Sequence, residues 1–113
     1  MKDKQDIGTP KCKYSIVLST FSAKEDAMEC CEGLLESGAI AGANVFDPVT
    51  TMYREGSSTM SSSEVVVFMR TTDDKLELIK KLLDEFDSSI ELSILNCSQI
   101  SSQYLDWVVS SIH

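Results

Sequence analysis

The side chains able to carry nucleophilic, redox or metal chemistry are few. Cysteines stand at Cys12, Cys30, Cys31 and Cys97, and the single histidine, His113, is the last residue. No two cysteines have the Cys-x-x-Cys spacing of a zinc or redox site, and no histidine cluster accompanies them. Adjacent Cys30 and Cys31 point in different directions on a helix, so reduced, packing thiols are expected. A terminal histidine is frayed, which leaves acid–base and nucleophilic schemes without a positioned base. The carboxylate pairs Asp73–Asp74 and Asp84–Glu85 fall at helix starts or on polar faces and read as solvated surface. Glu91 lies on the outward face of a strand. It would ligate a cation only with help from Cys97, Asp87 or a neighbouring chain, because copper and zinc prefer sulfur and imidazole. An interchain hydrogen bond or ion pair is its more ordinary role. No catalytic constellation emerges, and a non-enzymatic protein is expected.

Bulk properties narrow the partners. A net charge of −8, from 18 acidic against 10 basic residues, argues against a nucleic-acid partner. No stretch approaches a membrane span, and residues 1–11 lack the apolar core of a secretory signal, so a cytoplasmic protein is expected. A chain of 113 residues, 42% of them apolar, suits one domain with one core. A mobile polar tail is expected over 1–13 and the domain over 14–113.

The elements are legible from periodicity. Residues 65–69 are unbroken apolar, three of them β-branched, and mark a buried central strand over 64–72. Val65, Val67 and Met69 share one face, Val66 and Phe68 the other. Helices of so small a chain cover one face, and a second copy is expected over Val66 and Phe68. Residues 14–20 alternate as a strand. Ser22 and Glu25 read as a capping box opening a helix with Ala23, Ala27, Cys31 and Leu34 or Leu35 on its stripe. Gly38 is its left-handed stop. Residues 40–54 are extended, interrupted at Asp47-Pro48, and the serine-rich stretch 55–63 reads as a flexible hairpin tip. Thr71 to Asp74 opens a second helix carrying Leu76, Ile79, Leu82, Leu83 and Phe86. Residues 90–96 alternate again, and Ser101 caps a last helix on which Ile100 staples to Leu105, with Val108, Val109 and Ile112 along the stripe. Tyr104 and Trp107 are expected to pack this helix. The order is the ferredoxin-like βαββαβ pattern, an α+β antiparallel sheet with an additional C-terminal helix.

Four segments at these spacings resemble the CutA family of divalent-cation-tolerance proteins. They are Tyr14-Ser-Ile-Val-Leu-Ser-Thr20, Ala41-Gly-Ala-Asn-Val45 running to Tyr53-Arg54, Glu64-Val-Val-Val-Phe-Met-Arg-Thr71, and Tyr104-Leu-Asp-Trp107. The resemblance implies a homotrimer and a role in tolerance of copper and other divalent ions. Several positions depart from the family pattern. Gly42-Ala43-Asn44 stands where most members carry Cys-Val-Asn, Glu85-Phe86-Asp87 where they carry His-Pro-Tyr, and Ile90-Glu91 where they carry Pro-Glu. Arg54-Glu55-Gly56 lacks the tryptophan that often follows the hairpin tyrosine. Of the ligands the resemblance implies, only Glu91 remains.

The expectation is therefore a trimeric, non-enzymatic protein of divalent-ion response. Its weak cation site would involve Glu91, and Cys97 more remotely, near subunit contacts, with copper as the metal. Tyr53, Val66 and Phe68 are expected at the trimer interface. The alternative is a small-molecule-binding module resembling the PII-type regulators, with an intersubunit cleft lined by Tyr53, Arg70 and the 55–63 loop. A structural interaction protein without ligand is the third.

Overall fold

The computed structural model describes residues 7–8 and 14–112. Of the expected N-terminal tail only Ile7 and Gly8 are described; Cys12 and His113 lie outside the described residues. In chain order the elements are β1 (Ile7–Gly8), β2 (Tyr14–Phe21), α1 (Lys24–Glu36), β3 (Gly42–Val45), β4 (Val49–Glu55), β5 (Ser58–Thr72), α2 (Leu76–Phe86), β6 (Leu92–Cys97), β7 (Ile100–Ser101) and α3 (Ser102–Ser111). A 3-10 turn over Asp73–Lys75 leads into α2.

The main sheet runs β3-β5-β2-β6, antiparallel throughout, with β4 paired to the far half of β5. This is the ferredoxin-like order expected from the alternation. Ile7–Gly8 pairs antiparallel with Ile100–Ser101 as a separate two-stranded ladder. Val65, Val67 and Met69 are at most 1% exposed and pack with Val17 and Phe21 beneath α1 and α2. The helices contribute Ala27, Cys30, Cys31 and Leu34 from α1, and Ile79 and Leu83 from α2. Of the alternatives Leu34 and Leu35, Leu34 takes the buried place and Leu35 is 41% exposed, while Phe86 and Val109, placed on apolar stripes by periodicity, are 39% and 46% exposed.

The helix ends show which local signals count. α1 starts at Lys24 with Ala23 as its extended N-cap, and no side chain caps it, so the Ser22–Glu25 box is not formed. Its C-terminus follows the expectation. Gly38 has φ +76°, its N–H donates to the Leu35 carbonyl at 3.1 Å, and the Ala39 N–H donates to Leu34 at 3.0 Å. Those two bonds define a Schellman stop, which a side chain at residue 38 would strain. Ser101 is the N-cap of α3 by backbone conformation, again without a side-chain bond. Ile100 and Leu105 join the same apolar cluster, as a staple requires.

Two expectations are corrected. The central strand spans 58–72 rather than 64–72, and the flexible tip shrinks to the two residues Gly56 and Ser57. Gly56 has φ +62° and, among the described residues, no non-glycine residue has positive φ, the arrangement of a two-residue II′ hairpin. Ladder hydrogen bonds to β4, not apolar alternation, hold 58–63 extended. Helices also cover both faces of the sheet in part. α3 lies over one end of the second face, where Val108, Tyr14, Ala41 and Ile100 form a small core of their own.

Candidate functional site

The second face of the sheet, where α3 stops, brings together side chains distant in sequence. The β3–β5 register sets Gly42 opposite Arg70 and Asn44 opposite Phe68. Arg70 Nη1 donates to Asn44 Oδ1 at 2.5 Å. Trp107 Cη2 lies 3.6 Å, and the Arg70 guanidinium carbon 3.8 Å, from the point where a Gly42 Cβ would stand. The indole and the guanidinium thus both lie over the same patch of strand, at ordinary van der Waals distance from that point. Tyr104 stacks on Trp107 with centroids 5.7 Å apart and meets Tyr14 edge-on at 5.9 Å. Tyr104 and Trp107 are 37% and 46% exposed, so α3 packs through them while their outer sides form an aromatic ledge. Burial, and then the hydrogen bond and charge of Tyr104, push the Tyr14 phenol up, while Arg70 pulls it the other way.

The ledge is suited to anions and π-faces. A guanidinium has five N–H donors in a fixed fork, and the Asn44 contact uses one nitrogen. The ion pairs Lys24–Asp47 and Lys80–Glu77 do not involve Arg70.

The residues expected to hold a cation are placed apart. Glu91 is exposed and sits one residue before β6 instead of within it, while Cys97 is half-buried at the strand's other end. At roughly 3.3 Å per residue they are about 20 Å apart. Burial pushes the Cys97 thiol up. Asp87 accepts from the Ser89 N–H at 2.9 Å and the Ser89 hydroxyl at 2.7 Å, bonds that hold its carboxyl below the usual range. Among the described residues no three His, Cys, Asp or Glu side chains gather as a metal would need. The donor set of one chain does not fit a closed copper or zinc site.

The interface candidates lie elsewhere on the second face. Val66 and Phe68 are half-buried, and Phe68 meets Phe46 edge-on at 5.3 Å. Tyr53 is 42% exposed on the hairpin, opposite Met60. From Met60 to Arg70 along β5 is roughly 33 Å at about 3.3 Å per residue, so Tyr53 and Arg70 can line one cleft only across two chains. Sequence reasoning missed Gly42, Asn44 and Trp107 as neighbours of Arg70. The strand register sets the first two there, and α3 brings the third.

The family described as CutA1 divalent ion tolerance protein matches residues 15–111. No curated protein matches in sequence. Among solved structures, CutA from Synechococcus elongatus superposes with TM-score 0.85 at 21% identity, covering 96% of this chain and 97% of that one. The divalent cation tolerance protein of Thermus thermophilus gives TM-score 0.80 at 22% identity, covering 88% and 99%. The protein of Archaeoglobus fulgidus described as a periplasmic divalent cation tolerance protein gives 0.79 at 16% identity, with the same coverages. Among the described residues no helix is long and apolar enough to cross a membrane.

Proposed function

The chain belongs to the CutA1 divalent ion tolerance family, and we propose that it serves as a non-catalytic, homotrimeric protein of the divalent-ion response, copper among the ions. The family match across nearly the whole domain carries this reading. Cations would be held weakly, by exposed carboxylates such as Glu91 close to subunit contacts, with Cys97 a remoter donor. The dispersed donors support weak rather than tight binding, since one carboxylate alone makes a poor site for copper or zinc. The half-buried, apolar Val66 and Phe68 support a trimer built on the second face. We place the protein in the cytoplasm, a reading supported by unpaired thiols at Cys30, Cys31 and Cys97.

Titration calorimetry with Cu(II) and Zn(II) at neutral pH tests the cation reading. Micromolar or weaker binding, reduced by Glu91→Ala, is expected; nanomolar one-to-one binding per chain overturns it. The Arg70–Trp107 ledge favours a second reading, a small-molecule module resembling the PII-type regulators whose ligand carries an anionic group. Because Trp107 is the sole tryptophan, a saturable change of its fluorescence on adding a nucleotide would favour that module over the cation reading.

A further inference from the structure

The surface of α1 and α2 turned away from the sheet carries a feature that neither reading uses. An open groove of about 410 Å³ runs between the two helices. Its floor is apolar, formed by Leu34, Leu82 and Phe86. Phe86 is 39% exposed, its ring held edge-on to Phe21 at 6.4 Å. Leu78, Leu82 and Phe86 follow one another at i, i+4 and i+8, which makes a continuous ridge along α2.

The rim is acidic. Glu29, Glu32 and Glu36 line it along α1 at i, i+3 and i+7, one row of about 10 Å at 1.5 Å per residue. The lining includes no lysine or arginine. The only basic residue of α1, Lys24, is held 2.6 Å from Asp47.

Gly33 also lines the groove, and it has no packing reason to be there. A Cβ at this position would meet nothing within 4 Å. A glycine inside a helix is unfavourable by about 1 kcal/mol relative to alanine, so here it leaves room without gaining a close helix contact.

We propose that this groove docks a basic amphipathic helix of a partner protein. Its lysines or arginines would face the glutamate row, and one aliphatic anchor would enter beside Gly33. An apolar floor with charge on one rim is the pattern of helix-in-groove recognition, read as anchors at i, i+3 or i+4, and i+7. A third helix laid on two packed helices also finds ready-made ridges. The groove lies on the opposite side of the sheet from Val66 and Phe68, so a copy seated on those two residues is not its occupant.

The probe is a labelled synthetic peptide of about three helical turns, leucines on one face and lysines on the other, followed by fluorescence anisotropy. Saturable binding that weakens with added salt is expected. Gly33→Leu keeps the charge, favours the helix and fills the groove, and should weaken binding by about tenfold or more. The triple variant Glu29→Gln, Glu32→Gln, Glu36→Gln should weaken it comparably. Circular dichroism and a thermal melt show that each variant keeps its fold. Undiminished binding to Gly33→Leu overturns the proposal, because general surface acidity would then hold the peptide. So does equal binding of a peptide with glutamine in place of lysine, which would make the occupant a neutral helix. Metal titration uses a different ligand and readout, so either idea can fail without the other.

Discussion

The Thr71 hydroxyl donates to the Ala39 carbonyl at 2.8 Å, with both residues 0% exposed. The bond ties the residue just past the α1 stop to the end of β5, and two residues on the Ala41 N–H donates to the Arg70 carbonyl at 2.8 Å. Together they fix how β3 enters the sheet, and hence where Gly42 stands beneath Trp107. Thr71→Val keeps the shape and removes the donor. Leaving a buried carbonyl without that partner should cost about 1–3 kcal/mol, read as a lower urea midpoint at unchanged slope.

Ser19 is the opposite case. It is 2% exposed, and its hydroxyl oxygen has no hydrogen-bond partner among the described residues. Ser19→Ala removes a desolvated polar group without emptying much volume. It should leave stability unchanged or raise it by about 1 kcal/mol, in the same urea experiment. A loss as large as that of Thr71→Val would mean that the hydroxyl is satisfied after all.

These two positions also mark what periodicity conveys. Alternation located β2 and β6, and the unbroken apolar run of residues 65–69 located the buried half of β5. Periodicity failed at 58–63, where Ser61, Ser62 and Ser63 are all exposed and only pairing with β4 keeps the chain extended. The Ser22 box failed because helix entry was settled one residue later, at Ala23, within the usual uncertainty of helix boundaries. The ledge of Gly42, Arg70 and Trp107 was illegible for another reason. Its members belong to β3, β5 and α3, and no local pattern reports which strands become neighbours.

The buried thiols yield a pH-dependent prediction. Cys30 and Cys31 are 5% and 4% exposed, and burial first, then neighbouring Glu29 and Cys30 respectively, push each thiol from near 9 up to about 11. In a timed iodoacetamide pulse near pH 8, half-buried Cys97 should label ahead of both, by mass spectrometry. Equal labelling of all three contradicts the burial. The sign for stability follows from proton binding. Between about 9 and about 11 the unfolded chain has lost these protons while the folded one keeps them. Stability is therefore full below 9 and declines as pH rises through that window. Cys30→Ala/Cys31→Ala should flatten the decline.

The assembly itself is open to a single substitution. Val66 and Phe68 leave the apolar second face half-covered, and Leu95, Phe46 and Val49 remain 46%, 40% and 40% exposed. The β4–β5 hairpin draws the molecule out to 55 Å against 28 and 23 Å in the other directions, and Met52 upon it is 72% exposed. A strand of that reach presents an edge that must be paired or blocked, and a closed ring of three copies leaves no free edge. In a trimer using this face, Phe68→Asp would bury a charge without a partner, at a cost of several kcal/mol, and should return the chain to monomers. In a lone chain the same change would cost only part of the Phe46 contact. Light scattering on both proteins distinguishes the two. A monomeric parent, or an intact Phe68→Asp trimer, would rule out an interface on Val66 and Phe68.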